Sequence, residues 1–454
     1  MVEINKNKLT RIFLNENKTK KPLKRSTSGY ETEQFVLNND GSIDNSEILI
    51  KKAKAKKLPI QKECAKSMIE LSCLPAKRLK MTSESMVDNH ILLQEIAYGE
   101  DKYLYPFGTY FGNNNVVFRN KINYNIKKKV LGENRFKYAG YCCGCHQHYA
   151  LPRGIFDKKN KIIKEMNYSK INKTLVDSFN FMTAIDPVLT TLTQSSPYFD
   201  NKLFAKNSRV IIYRGGKFLK FKDGTYSKHR LFGGLQQYKT TVRDLNTVQK
   251  RRFQKWKILV KKAGYDVNKH IKSEKILSYN WSPVKINPLG TLEYRGYDMN
   301  YLSTIFGAST LLKFSLREIQ QRFKIVVPLD ISIKESFKIE NNMIFIPSFS
   351  EILRLQKKAA YYGLEDNDVY TYVKNFYNLA KDMTNKNYHP LLLPIKEIID
   401  NRKTTSDEII DYFKKKGFKN KINQSVAKEA AIYFSNKFRK DLVRTKNIFD
   451  DVRD

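Results

Sequence analysis

Long hydrophobic runs are absent from this chain of 454 residues, and their absence limits where the protein can act. No apolar run approaches the roughly 18 residues that a membrane-spanning helix needs, so the sequence predicts no membrane span. Residues 1–21 lack the long apolar segment of a secretory signal, which favours a cytoplasmic location. Cysteine is also scarce. An odd count of 5, with Cys142, Cys143 and Cys145 crowded together, argues against a disulfide framework and for a reducing compartment.

Acidic residues are few relative to basic ones. The chain has 45 Asp and Glu residues against 83 Lys and Arg residues, a formal net charge of +38. One interpretation is a nucleic-acid or other polyanionic partner, since such a field attracts polyanions. The alternative is a compositional bias toward Lys, Asn and Ile, which the spread of charge along the chain favours. Hydrophobic content of 41% and aromatic content of 12% are typical of a globular protein.

The pattern along the chain predicts three units. Residues 1–28 form a basic N-terminal arm, residues 29–330 contain the candidate catalytic strings, and residues 331–454 are mostly helical. Within the second unit, residues 240–263 are expected to form a basic helix around Trp256. Its candidate nucleic-acid contacts are Lys250, Arg251, Arg252 and Lys255.

Three short strings each place two polar residues at positions i and i+2 of a predicted strand, so both side chains point to one face. The pairs are Glu31 with Glu33, His146 with His148, and Glu293 with Arg295. Carboxylates with imidazole suit Mg²⁺ or Mn²⁺, and Arg suits a phosphate, so the combination indicates a site for ATP. Taken singly, the Glu31/Glu33 and Glu293/Arg295 pairs are also compatible with a solvated strand face. The His146/His148 pair is also compatible with two histidines of the core.

Other residues leave alternatives open. The cysteines around His146 could bind zinc or iron, or they could be small apolar fillers beside a histidine site. Ser195 and Ser196 could present backbone N–H groups to an anion or form a turn. Arg214 and Arg230 lie beside glycines and are candidate clamps for phosphate or carboxylate.

These strings resemble motifs of the glutamine synthetase-like carboxylate–amine ligases, and within them the glutamate–cysteine ligase type 2 and phage amidoligase families. GYETEQF at 29–35 is similar to the metal-binding G-x-E-x-E-F strand, and GCHQH at 144–148 to G-M-H-x-H. LEYR at 292–295 is similar to the E-x-R motif, and MIELS at 68–72 to a further acidic strand with Glu70. The order of the motifs also agrees, over residues 28–310.

The resemblance implies an α+β fold, built on a curved antiparallel sheet with packed helices and followed here by a helical region. It implies one metal ion bound by Glu31, His146 and Glu293, and another by Glu33 and Glu70. The residues it assigns to ATP and its phosphates are His148 and Arg295, with Arg295 and Glu293 in catalytic roles. Arg214 and Arg230 complete the predicted phosphate-binding set on the basis of their own sequence context.

The activity implied is an ATP- and Mg²⁺-dependent amide-forming ligase, with small-molecule or peptide carboxylate and amine substrates and an acyl-phosphate intermediate. The alternative is a nucleic-acid-associated protein on the same fold, in a phage virion or in the host cytoplasm. A Cys/His metal protein is a third hypothesis. The pattern identifies neither the acid nor the amine.

Overall fold

The computed structural model describes residues 26–166 and 169–453. The predicted basic arm, residues 1–28, therefore lies outside the described residues except for 26–28. The strands of the described part are β1 (Ser28–Asn38), β2 (Ile60–Lys62), β3 (Met68–Ser72), β4 (Lys102–Tyr105), β5 (Gly144–Ala150), β6 (Phe156–Asp157), β7 (Ile162–Ile163), β8 (Tyr198–Phe199), β9 (Lys202–Leu203), β10 (Val284–Asn287), β11 (Thr291–Asp298), β12 (Ile325–Leu329), β13 (Ile339–Glu340) and β14 (Met343–Pro347).

The α-helices of the same part are α1 (Glu47–Ala55), α2 (Leu79–Tyr98), α3 (Ile122–Leu131), α4 (Glu133–Phe136), α5 (Lys170–Ala184), α6 (Asp186–Leu192), α7 (Ser208–Arg214), α8 (Arg230–Gly233), α9 (Val242–Lys262), α10 (Val267–His270), α11 (Leu302–Arg322), α12 (Phe349–Tyr362), α13 (Asn367–Met383), α14 (Leu393–Asn401), α15 (Thr405–Lys415) and α16 (Gln424–Asp450). None of them is both long and apolar enough to span a membrane.

The central sheet has the strand order β10-β11-β5-β1-β3-β2, with β4 also paired to β1, and all its pairings are antiparallel. Alternation along β1 assigns its two faces. The hydroxyls of Tyr30 and Ser309 of α11 lie 2.8 Å apart, and Thr32 Oγ1 lies 3.0 Å from Nε2 of His90 on α2. Even-numbered residues therefore face the helices, and odd-numbered residues face the opposite side of the sheet.

The C-terminal helices belong to the same hydrophobic core as the sheet. Helix α16 packs on α2, α11 and β4, and its Phe434 lies 5.3 Å from Phe107 between ring centroids. Residues 331–454 contain β13, β14 and helices α12 to α16, so the expected helical region is present. The division of the chain near residue 330 into two units stays a prediction.

Helix α9 confirms the predicted basic helix at 240–263. It begins with a capping box, in which Thr241 Oγ1 accepts from the backbone of Asp244 and the Asp244 carboxylate accepts from the backbone of Thr241. Its apolar face packs on α3 in a second, smaller core that includes Trp256 and Ile126. This smaller core lies beside the strands that carry the candidate site, because Trp281, just before β10, packs against it.

Candidate active site

Strand register brings the predicted polar residues together. Glu31 of β1 lies opposite His146 of β5, and Glu293 of β11 lies opposite His148. On the other edge of β1, Glu33 lies opposite Glu70 of β3. Because cross-strand neighbours on one face are about 5 Å apart, four adjacent strands line one continuous polar surface.

The two histidines lie between the carboxylates. His146 Nδ1 is 3.2 Å from Glu31 Oε2, and its Nε2 is 3.6 Å from Glu33 Oε1. His148 Nε2 is 3.5 Å from Glu31 Oε2, while its Nδ1 is 2.9 Å from the hydroxyl of Thr291. Burial, together with the charge of Arg295, lowers the pKa of His146 to about 4, so this imidazole is neutral at pH 7. The Nε2 atoms of both histidines are buried and lack a hydrogen-bond partner within the described residues.

Glu293 is fully buried and surrounded by nitrogen donors. Lys285 Nζ lies 3.1 Å from its Oε2, and Arg295 and Asn287 both donate hydrogen bonds to its carboxylate. Burial alone would raise the pKa of Glu293, but the charges of Lys285 and Arg295 outweigh burial and hold this pKa well below its usual range. This end of the site therefore holds an ionised carboxylate neutralised by two cations.

The other end of the site is acidic, and no Lys or Arg of the described residues forms an ion pair with its carboxylates. Glu33, Glu63 and Glu70 each bring a carboxylate oxygen within 4.8 Å of the others. Burial and the charge of Glu63 raise the pKa of Glu33 to about 7 and raise the pKa of Glu70 well above its usual range. The backbone N–H of Gly144 donates to Glu33 at 2.7 Å. Three carboxylates this close, one buried and two half-buried, favour a divalent cation between them.

The described residues form three groups that could hold a metal ion, with glutamates shared between them. They are Glu31, His148 and Glu293; Glu31, Glu70 and His146; and Glu33, Glu63 and Glu70. The structure thus splits the predicted set of Glu31, His146 and Glu293 between two groups. Carboxylate and imidazole donors fit Mg²⁺ or Mn²⁺, and the partnerless imidazole nitrogens and mutually repelling carboxylates are consistent with bound cations.

Glu63, Lys285 and Lys127 were missed by sequence reasoning. Glu63 follows the short strand β2, and no residue spacing within the chain links it to Glu33. Lys285 could have been found, because the turn at 287–290 sets β10 against β11 and pairs Lys285 with Glu293. Lys127 of α3 lies 4.5 Å above the ring of Trp281.

Two predicted phosphate ligands have other partners in the structure. Both terminal nitrogens of Arg214 donate to Asp186, at 2.6 and 2.8 Å, in a fully buried pair. The guanidinium of Arg230 lies 4.3 Å above the ring of Phe218. The structure therefore brings Arg295 to the carboxylates but does not place Arg214 among them, and the role predicted for Arg230 stays a prediction.

The predicted nucleic-acid contacts on α9 divide into two sets. Lys250, Arg251 and Lys255 are exposed, whereas Arg252 is buried and donates to the carbonyl of Leu231 and to Gln249. Arg252 therefore cannot contact a partner at the surface. The cause is helical periodicity, which turns position 252 toward the smaller core.

The structure also bears on Ser195, Ser196 and the cysteines near His146, for which the sequence left two interpretations open. The backbone N–H of Ser195 and the hydroxyl of Ser196 donate to the buried carboxylate of Asp298, at 3.1 and 2.6 Å, so this turn holds a side chain of the protein itself. All five cysteines are buried free thiols. In the described residues no candidate metal group includes a cysteine, which favours the interpretation of Cys142, Cys143 and Cys145 as apolar fillers.

Comparison with known proteins places this geometry on a known fold. No protein-family model and no curated protein matches the sequence. Among solved structures, glutamate–cysteine ligase from Francisella tularensis, in complex with AMP, matches with a TM-score of 0.57 and 12% identity. The match covers 95% of this chain and 94% of that one. The chain has the carboxylate–amine ligase fold.

A second structure matches at a similar level. It is a bifunctional glutathione synthetase from Pasteurella multocida, with a TM-score of 0.51 and 13% identity over 91% of this chain. The chain spans about half of that protein, 52% of its length. At identities this low, the structural similarity establishes the fold alone. It confirms the expected antiparallel sheet with packed helices.

Proposed function

We propose that the protein is an ATP- and Mg²⁺-dependent carboxylate–amine ligase. The observation that carries the proposal is the convergence of five carboxylates, two imidazoles and Arg295 on one face of a sheet with the ligase fold. The carboxylates are Glu31, Glu33, Glu63, Glu70 and Glu293.

The donor set supports two or three divalent cations. Glu33, Glu63 and Glu70 would hold one, and Glu31 would share others with the two histidines, Glu70 and Glu293. When bound, Mg²⁺ would supply charge neutralisation for the polyphosphate of ATP. Neutral imidazoles suit this role, since a protonated His146 would repel the cation, and the low pKa of His146 keeps it neutral.

In this proposal Arg295 stabilises the phosphoryl group during transfer. Its guanidinium is anchored to Glu293 and lies 3.4 Å from His146 Nδ1, so it is fixed before substrate arrives. In the proposed reaction an oxygen of a substrate carboxylate attacks the γ-phosphorus, and the bond to ADP breaks. An amine nitrogen then attacks the acyl carbon, an amide forms and inorganic phosphate leaves. Fixed cations near the transferring oxygens lower the barrier without covalent participation of the protein.

The test is formation of ADP and phosphate from Mg·ATP by the purified protein, with carboxylic acids and amines supplied singly and in pairs. Turnover that rises only when an acid and an amine are both present is expected. Glu31→Gln should lower that turnover by about 100-fold or more, because a charged ligand is lost at the centre of the site. Glu165→Gln is the matched control, since Glu165 lies on the surface and pairs with Arg243. Full turnover by Glu31→Gln would contradict the proposed site.

A further inference from the structure

One face of helix α9 is exposed and strongly basic. From Leu245 to Lys262 this helix contains no acidic residue. Its exposed face carries five cations at helical spacing: Lys250, Arg251, Lys255, Lys261 and Lys262. The ion pair of this helix within the described residues is at its N-terminal end, between Arg243 and Glu165. The five cations of the basic face have no carboxylate within ion-pair distance in that part of the chain.

The C-terminal helices carry acidic residues among their surface cations and form ion pairs with them. Arg354 pairs with Glu351 and Asp368, Lys403 pairs with Asp411, and exposed pairs of this kind recur through α16. Exposed lysines outside the ion pairs of the described residues occur on these helices too, at Lys414, Lys415 and Lys440. Helix α9 differs because its five cations share one face of a stretch that contains no acidic residue. This concentration of positive charge favours a surface that faces an anionic partner.

The buried side of α9, opposite the basic face, packs toward the strands of the candidate active site. Trp256, on the buried side of α9, lies 5.3 Å from Trp281 between ring centroids, and Lys127 lies 4.5 Å above Trp281. Burial lowers the pKa of Lys127 to about 8, with Arg295 adding to the effect and Glu63 opposing it. Lys127 therefore contacts the aromatic cluster beneath α9 and is close enough to Glu63 for that carboxylate to act on its pKa.

We propose that the basic face binds an acidic polypeptide, a Glu- or Asp-rich segment that supplies the carboxylate for the ligase site. This inference rests on the proposed function, because the reaction consumes a carboxylate and a nucleic acid carries none. Lys250 and Lys262 are about 18 Å apart along the helix axis, which is far longer than a single amino acid. An extended chain of five or six residues covers that length, at about 3.3 Å per residue.

The experiment measures binding of a fluorescein-labelled oligoglutamate peptide by anisotropy, without ATP, at two ionic strengths. Lys250→Glu/Arg251→Glu/Lys255→Glu reverses three charges of the basic face. The matched control reverses three exposed lysines of the C-terminal helices, Lys414→Glu/Lys415→Glu/Lys440→Glu. The face variant should bind the peptide about tenfold more weakly than the control variant, with most of the difference lost at high salt.

Each outcome decides one claim. Equal peptide binding by the two variants would overturn the basic face as the binding surface. Binding of oligo(dT) of the same length to the wild type without binding of the peptide would overturn the polypeptide assignment in favour of nucleic acid. Peptide binding that depends on the face, combined with no ADP formation under any condition, would refute the proposed ligase function while upholding the surface.

Discussion

Arg214 is expected to stabilise the fold through a buried ion pair with Asp186. The arginine beside Gly215 and Gly216 was predicted to bind phosphate, yet in the structure it closes a bidentate pair with Asp186 inside the core. Asp186 begins α6, Arg214 ends α7, and the hydroxyl of Tyr294 donates a third hydrogen bond to the same carboxylate at 3.0 Å. The pair therefore ties two helices to the sheet strand that carries Glu293.

The expected effect of Arg214→Met follows from this geometry. The substitution leaves the Asp186 carboxylate buried with Tyr294 as its remaining side-chain donor, and removing one partner of a buried pair costs about 3–5 kcal/mol. The double variant Asp186→Asn/Arg214→Met buries no unpaired charge, so it should be more stable than Arg214→Met alone. The free energy of unfolding is measured in urea, with Trp256 and Trp281 as fluorescence probes.

If Arg214 instead bound phosphate, its substitution would affect ATP binding rather than stability. If Arg214→Met unfolded at the same urea concentration as the wild type and instead raised the KM for ATP, the structural account of Arg214 would be refuted. A double variant less stable than Arg214→Met would also contradict it, since the two charges would then not be coupled.

Three further predictions concern Glu63, Lys285 and His90. Glu63→Gln should weaken Mn²⁺ binding, measured by electron paramagnetic resonance, by about tenfold because it removes one of three close carboxylates; the exposed Glu274→Gln is the control, and equal affinities of the two variants would exclude Glu63 as a ligand. Lys285→Met should lower the free energy of unfolding by about 1.5–3 kcal/mol, since buried Glu293 loses a charged donor; Lys285→Arg should retain most of it, and equal losses would argue against a charge effect. His90 is buried with its pKa lowered to about 3, so below pH 6.5 the unfolded chain binds a proton that the folded chain does not. Stability is therefore lost as pH falls, by about 3 kcal/mol from this residue between pH 6.5 and 4; urea unfolding of His90→Gln should show a correspondingly weaker acid dependence, and identical dependences would contradict the neutral buried imidazole.

Residues that act within one strand were predictable from sequence. Glu31 with Glu33, and His146 with His148, share a face because strand side chains alternate, and the structure confirms that these pairs face each other across β1 and β5. The basic helix around Trp256 was likewise predictable from its 3.6-residue periodicity.

Features that depend on tertiary packing were not predictable in this way. Glu63 joins Glu33 and Glu70 through the pairing of separate strands, and Lys127 of helix α3 packs over Trp281, which is distant from it in sequence. The side chain of Asn207 accepts a hydrogen bond from the backbone N–H of Val210 and starts helix α7. Helices α5 and α6 are separated at Ile185, and Pro187 lies in the first turn of α6.

The proposed reaction transfers the γ-phosphoryl group of ATP to a substrate carboxylate. The decisive measurement uses an acid found active in the ADP assay, labelled with ¹⁸O in its carboxylate, and analyses the released phosphate by mass spectrometry. An acyl phosphate transfers one carboxylate oxygen to inorganic phosphate, so we expect one ¹⁸O atom in each phosphate released during amide formation. Amide formation with unlabelled phosphate, or with AMP and pyrophosphate as products, would contradict the proposed reaction.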